Sequence, residues 1–270
     1  MGINDISLTS GMRKNLISLQ GTVGLLDRTQ ERLSTGKKVN SALDSPINFF
    51  AARAHMNRAS DLDSRKDAMG EALQLIKTTD AGIESQIALI ENAKGLTQSA
   101  RSATTANRVA LADQYNEMLV QITNIALDTS YKGKNLLMNE SLKVDFNEDG
   151  SSSLTIQGFD AAAASLGLSA SVNDWATEDD IDAAVAEMDL ALSNLRTESA
   201  NLAANLSVVS VRQDFTQEMI NNLTEGADNL TLADMNEEGA NMLMLQTRQA
   251  LGTTALSLSS EAAQSVLRLF

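Results

Sequence analysis

Four stretches of this sequence place apolar residues in alternating steps of four and three, and that spacing limits the fold more than any other feature. The first runs through Met12, Leu16, Leu19, Val23, Leu26 and, past a polar Gln30, Leu33. The second runs through Met69, Leu73, Ile76, Asp80, Ile83, Ile87 and Ile90, and the third through Leu111, Tyr115, Met118, Ile122 and Ile125. The fourth is the longest: Ile181, Val185, Met188, Leu192, Leu195, Ser199, Leu202, Leu206 and Val209. Steps of four and three hold a stripe on one face of a helix, so each stretch predicts a helix packed along a seam. The fold class expected is mainly α, an elongated antiparallel helical bundle or coiled coil with the N- and C-terminal helices paired. Each Leu or Ile buried in such a seam contributes roughly 1.5–3 kcal/mol.

The apolar content fits this reading. It makes up 43% of 270 residues but aromatics only 3%, so Leu, Ala, Ile, Val and Met carry it, residues that suit seams between helices. Pro46 is the single proline, so most of the chain lacks a strong helix breaker. Thr35-Gly36 predicts a left-handed stop for the first helix. The segment around Asp44, Ser45 and Pro46 predicts an extended link. Thr177 before Glu178, Asp179 and Asp180 predicts a capped, acidic helix start. Glu225-Gly226 marks an end or kink, with a last helix from about Thr231. In the middle, Leu142, Val144 and Phe146 alternate with polar residues, as do Leu154 and Ile156, on either side of Asp149-Gly150, which predicts a small β-hairpin insert. Residues 161–175, rich in Ala and Ser, predict a compact loop. The expected division is 1–42 and 229–270 as two halves of an inner coiled coil, 43–58 as an extended spoke, 59–140 and 177–228 as two halves of a helical core, and 141–176 as hairpin and loop.

Several function classes are excluded. A formal net charge of −14 argues against nucleic acid, whose binding needs a basic surface. No apolar run reaches the ~20 residues of a membrane helix, and the first ten residues carry no secretory signal pattern. The single histidine, His55, has no Cys or second His to form a dyad or metal set. No carboxylate pair sits where its pKa values would be driven apart, so no enzyme and no cofactor are expected. Asp145, Asn147, Asp149 and Gly150 match the opening of a calcium loop, but the twelfth position holds Ile156 where Glu is required. The metal reading is rejected in favour of the hairpin. The absence of cysteine suits either an ordinary bacterial chain or one exported unfolded; composition does not choose.

Two blocks are more specific. Glu31-Arg32-Leu33-Ser34-Thr35-Gly36-Lys37-Lys38-Val39-Asn40-Ser41-Ala42-Leu43-Asp44-Ser45 resembles the N-terminal block of bacterial flagellins. Near the other end, Asp234, Asn241, Met242, Leu245, Gln246, Gln249-Ala250-Leu251-Gly252-Thr253-Thr254-Ala255-Leu256 and Val266-Leu267-Arg268-Leu269-Phe270 resemble the flagellin C-terminal helix. One departure is Ala262-Ala263-Gln264-Ser265, where many relatives carry Pro-Gln. With only 141–176 between its halves, the chain resembles a short flagellin without large outer domains, and Pro46-Ile47-Asn48-Phe49-Phe50 looks alphaproteobacterial.

The resemblance implies a structural subunit that leaves the cell unfolded through the flagellar type III route and polymerises with its own copies into an extracellular filament used for swimming. Its implied partners are the filament cap and hook-junction proteins and a flagellin export chaperone. It implies assembly contacts from Met12, Leu16, Leu19, Val23, Leu26, Leu33, Leu243, Leu245, Leu251, Leu258, Val266, Leu269 and Phe270, and a spoke containing Asp44, Pro46, Phe49 and Phe50. Terminal helices with apolar residues on several faces are expected to order on assembly. Ser151, Ser152, Ser153, Ser165, Ser169 and Ser171 are possible O-glycan sites, with unmodified loop serines an equal reading. Asn92 and Gly95 stand where enteric relatives carry an Arg and a Glu read by the innate immune receptor, which implies weak recognition. Rival readings are a hook–filament junction protein, which would not form long filaments alone, and a secreted coiled-coil adhesin or effector, which would not need both terminal blocks.

Overall fold

The computed structural model describes residues 10–267, with side chains to Ser265. The chain forms α1 (Ser10–Thr35), α2 (Pro46–Arg101), α3 (Thr105–Asp128), strands β1 (Ser141–Asp145) and β2 (Ser153–Gln157), α4 (Glu178–Thr231) and α5 (Met235–Leu267). It divides into two compact units, one of Met1–Asn57 with Leu223–Phe270 and one of Arg58–Asn222.

The local chemistry sets the ends of these helices. Gly36 takes φ of +70° and its N–H donates to Arg32 O at 2.8 Å, the left-handed stop expected after Thr35. Thr177 and Asp180 cap α4 reciprocally: the Asp180 N–H donates to Thr177 Oγ1 at 3.3 Å, and the Asp180 carboxylate accepts from the Thr177 N–H at 3.1 Å. Asp234 Oδ1 accepts the N–H of Asn236 at 2.9 Å and of Glu237 at 3.3 Å, which starts α5.

Two expectations need correction. Residues 43–58 were expected to be extended, but α2 begins at Pro46. Proline breaks a helix only in its interior; in the first turn its fixed φ and missing N–H cost nothing, so Pro46 opens the helix instead of blocking it. The helix end expected near Glu225-Gly226 does not fall there, because α4 continues to Thr231. A glycine inside a helix costs only about 1 kcal/mol, and here Gly226 lies against His55.

In the unit of residues 58–222, Met69, Ile76, Ile83 and Ile90 of α2 and Ile181, Met188, Leu195, Leu202 and Val209 of α4 are all buried. Each set repeats at seven residues, as a shared seam requires. The two helices run antiparallel: Lys94 pairs with Asp189, Arg101 with Asp182 and Glu91 with Arg196. α3 adds Ala112, Tyr115, Leu119, Ile122 and Ala126 to the same core. The strands pair antiparallel with Leu142 opposite Ile156 and Val144 opposite Leu154, and Val144 and Ile156 face the core. The loop after β2 is compact. Ala161, Ala163, Leu166, Leu168 and Trp175 are buried, and Gln86 Nε2 ties α2 to Ile122 O at 3.0 Å and Ala161 O at 2.9 Å.

Candidate assembly surface

The other unit holds the two helices that the sequence singled out. α1 and α5 pack antiparallel. Arg32 Nη1 meets Glu238 Oε1 at 2.8 Å near one end of the pair. Farther along, Leu19 reaches Gly252 so closely that a Cβ there would lie 3.1 Å from Leu19 Cδ1. The α1 stripe facing α5 is Met12, Leu19, Thr22, Leu26, Thr29 and Leu33, and the α5 stripe is Glu238, Met242, Leu245, Gln249, Gly252 and Leu256; these side chains are buried or half-buried. The seam keeps the expected spacing but is less apolar than expected. Thr22 and Thr29 occupy it where Val23 and Gln30 were placed, and a glycine, a glutamine and an ion pair stand on the α5 side.

The apolar mass lies outside that seam. Leu16, Ile17, Val23 and Leu25 of α1 are exposed, as are Leu243, Met244, Leu251 and Leu258 of α5. Of the implied assembly residues, Met12, Leu19, Leu26, Leu33 and Leu245 therefore belong to the pair itself, whereas Leu16, Val23, Leu243, Leu251 and Leu258 face away from it. Leu269 and Phe270 lie outside the described residues, as does the Val266 side chain. Thr22, Thr29, Glu238 and Gly252 escaped the sequence reading because it counted apolar residues. The regular spacing of Met242, Leu245, Gln249, Gly252 and Leu256 was the available signal.

The link from α1 to α2 is zipped to the link from α4 to α5. Lys38 N donates to Thr231 O at 2.7 Å, and Ala233 N donates to Gly36 O at 2.9 Å, with Lys37 and Leu232 in an antiparallel bridge. A tight turn follows. The Asp44 carboxylate accepts the backbone N–H groups of Ser41 at 2.9 Å and Asn40 at 3.1 Å and the Ser41 hydroxyl at 3.1 Å. These hydrogen bonds hold Asp44 below the usual carboxylate range, Ser41 N–H most and Asn40 N–H next. Pro46 opens α2, Phe49 is half-buried and Phe50 is exposed, with their rings edge-on at 5.6 Å.

The remaining candidates fall in the unit of residues 58–222. Asn92 and Gly95 are exposed on α2. Ser151, Ser153, Ser165 and Ser169 are exposed, and Ser152 and Ser171 half-buried. Ser165 Oγ donates to Asp160 at 2.7 Å, and Ser171 Oγ accepts from Asn116 at 3.0 Å. At the hairpin tip the side chains of the rejected calcium loop serve the turn. Asn147 Oδ1 accepts from Ser152 N at 3.0 Å, Asp149 Oδ1 accepts from Ser151 N at 3.0 Å, and Lys143 Nζ approaches Asp145 at 2.8 Å. The twelfth position, Ile156, is an apolar residue buried in the strand pair.

Residues 3–141 match the family described as the bacterial flagellin N-terminal helical region. The chain belongs to the flagellin family. Flagellin FljM of Caulobacter vibrioides is 28% identical over 274 residues, covering 100% of both chains. A flagellin of Brucella melitensis is 26% identical, covering 94% of this chain and 95% of its own. Flagellin A of Rhizobium meliloti is 36% identical over 90 residues, which is 33% of this chain and 23% of that one. A solved Bacillus cereus flagellin is 18% identical with a TM-score of 0.47, covering 61% of this chain and 93% of that one. As a flagellin, this chain is a self-assembling structural subunit of the extracellular flagellar filament and not an enzyme. Among the described residues no helix is long and apolar enough to cross a membrane.

Proposed function

We propose that the α1–α5 pair lines the inner tube of the filament and that its outward apolar residues are the contacts between subunits. One observation carries this reading: apolar side chains on both helices face away from the seam that joins them. Ile17 is 68% exposed and Leu251 65% exposed. A monomer gains nothing from such a stripe, whereas a head-to-tail assembly of copies buries it and, because the contact does not close, grows as a helix. Leu16, Val23, Leu243 and Leu258 act in the same way.

Leu251→Glu with Leu258→Glu is the direct test. The purified double variant is expected to keep the helical circular dichroism of the parent and to form no filaments under the electron microscope. Deleting residues 235–270 is likewise expected to abolish filaments while leaving residues 58–222 folded. Filaments from either variant would overturn the placement of the interface. Long filaments from the unaltered chain alone separate a flagellin from a hook-junction subunit. On the export route this subunit meets a flagellin export chaperone, then the hook-junction proteins and the cap at the growing end; pull-down of each from secreting cells tests these partners. With Asn92 and Gly95 in place of an Arg and a Glu, purified monomer is expected to activate the innate flagellin receptor weakly, and strong activation would refute that.

A further inference from the structure

The unit formed by residues 1–57 and 223–270 carries a projecting apolar knob and an open apolar pocket that its own knob does not fill. The knob is the turn before α2. Leu43 is 95% exposed, Ile47 83% and Phe50 60%, and the first two are the most exposed large apolar side chains among the described residues. Leu43 does not project because the chain is loose: the Asp44 carboxylate grips the backbone of Asn40 and Ser41. A rigid turn that holds leucine in water is unfavourable unless something covers it.

The pocket lies beside the zipped links and has a volume of about 350 Å³. Its floor is Val39, Ala52 and Ala227, with Phe49 and Met56 as walls. Lys37 and Arg53 stand among its lining residues beside Asp228, so the acidic side chain next to Leu43 meets cationic groups when Leu43 enters.

We infer that the knob formed by Leu43, Ile47 and Phe50 of one subunit seats in the pocket formed by Val39, Phe49, Met56 and Ala227 of a neighbouring copy in the filament. This rests on the assembly reading above and specifies a second contact within it. A copy of this chain is the occupant because a flagellin assembles with itself, and α1 and α5 both lead away from the pocket. α1 has 26 residues, so its Ser10 end lies about 39 Å along the helix from Thr35 at 1.5 Å per residue. α5 leads away from the pocket for 33 residues, about 50 Å. The contact is head to tail: the knob of each copy enters the pocket of the next, so it propagates along a row of subunits without closing.

The chain contains no cysteine, which permits a clean cross-linking test. One preparation carries Leu43→Cys and another Met56→Cys. Filaments grown from an equal mixture are oxidised and run under non-reducing conditions. A dimer band from the mixture and none from either variant alone is the expected result, since only a knob thiol from one copy meeting a pocket thiol from another gives the bond. A dimer from Leu43→Cys alone would mean that two knobs meet each other, and would overturn the proposal. As a second arm, Leu43→Asp is expected to raise the critical concentration for polymerisation about tenfold or more, with Leu43→Met near the parent. If the unaltered chain forms no filaments, both readings fall. If it forms filaments while the mixture gives no cross-link and Leu43→Asp polymerises normally, only the knob-and-pocket contact falls.

Discussion

Tyr115 shows how one buried side chain writes its surroundings into a measurable quantity. Its ring packs at 5.1 Å from that of Trp175, its hydroxyl donates to Ser169 O at 3.2 Å, and burial, with Glu187 adding to it, pushes the phenol from 10.0 up to about 12. The folded state thus holds Tyr115 neutral. That contribution is whole below pH 10 and is lost as the pH rises through about 12. Ultraviolet titration of the phenolate is expected to show Tyr115 ionising last and together with alkaline unfolding. Gly158 is constrained more tightly. A Cβ there would lie 2.1 Å from Glu140 O and 2.4 Å from Leu136 O. Both obstacles are backbone, so Gly158→Ala is expected to destabilise by on the order of 3 kcal/mol in urea unfolding. The sequence marked Gly36 and Gly150 as turn glycines because cap and hairpin patterns are local. Gly158 carried no such mark: the carbonyls that exclude a side chain come from residues 136 and 140, brought back by the folded loop.

Among the elements, the seams of α2 and α4 were legible because one residue in seven is large, apolar and buried on both. The α1–α5 pair was legible in position but not in content. Its seam mixes Thr22, Thr29, Gln249 and Gly252 with leucines, and polar or small residues in a seam look in sequence like interruptions. Such a seam buries less apolar surface per turn, so each leucine in it matters. Leu245→Ala is expected to weaken the pair by about 2 kcal/mol, read as faster hydrogen exchange in α5 with the amides of α3 unchanged. At the start of α4 the pattern and the structure agree closely, and Thr177→Ala is expected to cost about 1 kcal/mol, measured as a lower urea midpoint. The spoke was misread in one respect. The same proline that signals a break also opens a helix, and whether the residues after Pro46 continue as helix depends on Ala52 and the half-buried Phe49 finding partners.

At the scale of the whole chain, the buried apolar cluster lies entirely within residues 69–209. Among the described residues, the buried apolar residues of the other unit are few: Met12, Val39, Ala52, Ala227 and Leu245. Hydrophobic burial dominates stability, so calorimetry of the free subunit is expected to show two transitions, with residues 1–57 and 223–270 melting first. Polymerisation is expected to raise the first transition more than the second, because linkage stabilises the parts that bind. A single transition in the free subunit would contradict this order. Those two outcomes together would support the proposed interface, in which terminal helices with a thin seam and an outward apolar stripe are stabilised by neighbouring copies.

The sequence by itself determined the helices, the order of the elements, the hairpin and the terminal blocks that mark a flagellin. Each of these follows from local periodicity, capping chemistry or residue identity, and none needs a distant partner to be read. Only the tertiary structure decided which apolar residues of α1 and α5 join the pair and which face outward, since a helix with leucines on several faces does not name its neighbour. The same holds for Leu43 and the pocket around Val39. Leucine in a turn and valine in a link have no meaning apart, and their relation exists only once Asp44 fixes the turn and the Gly36–Ala233 hydrogen bond closes the links beside it.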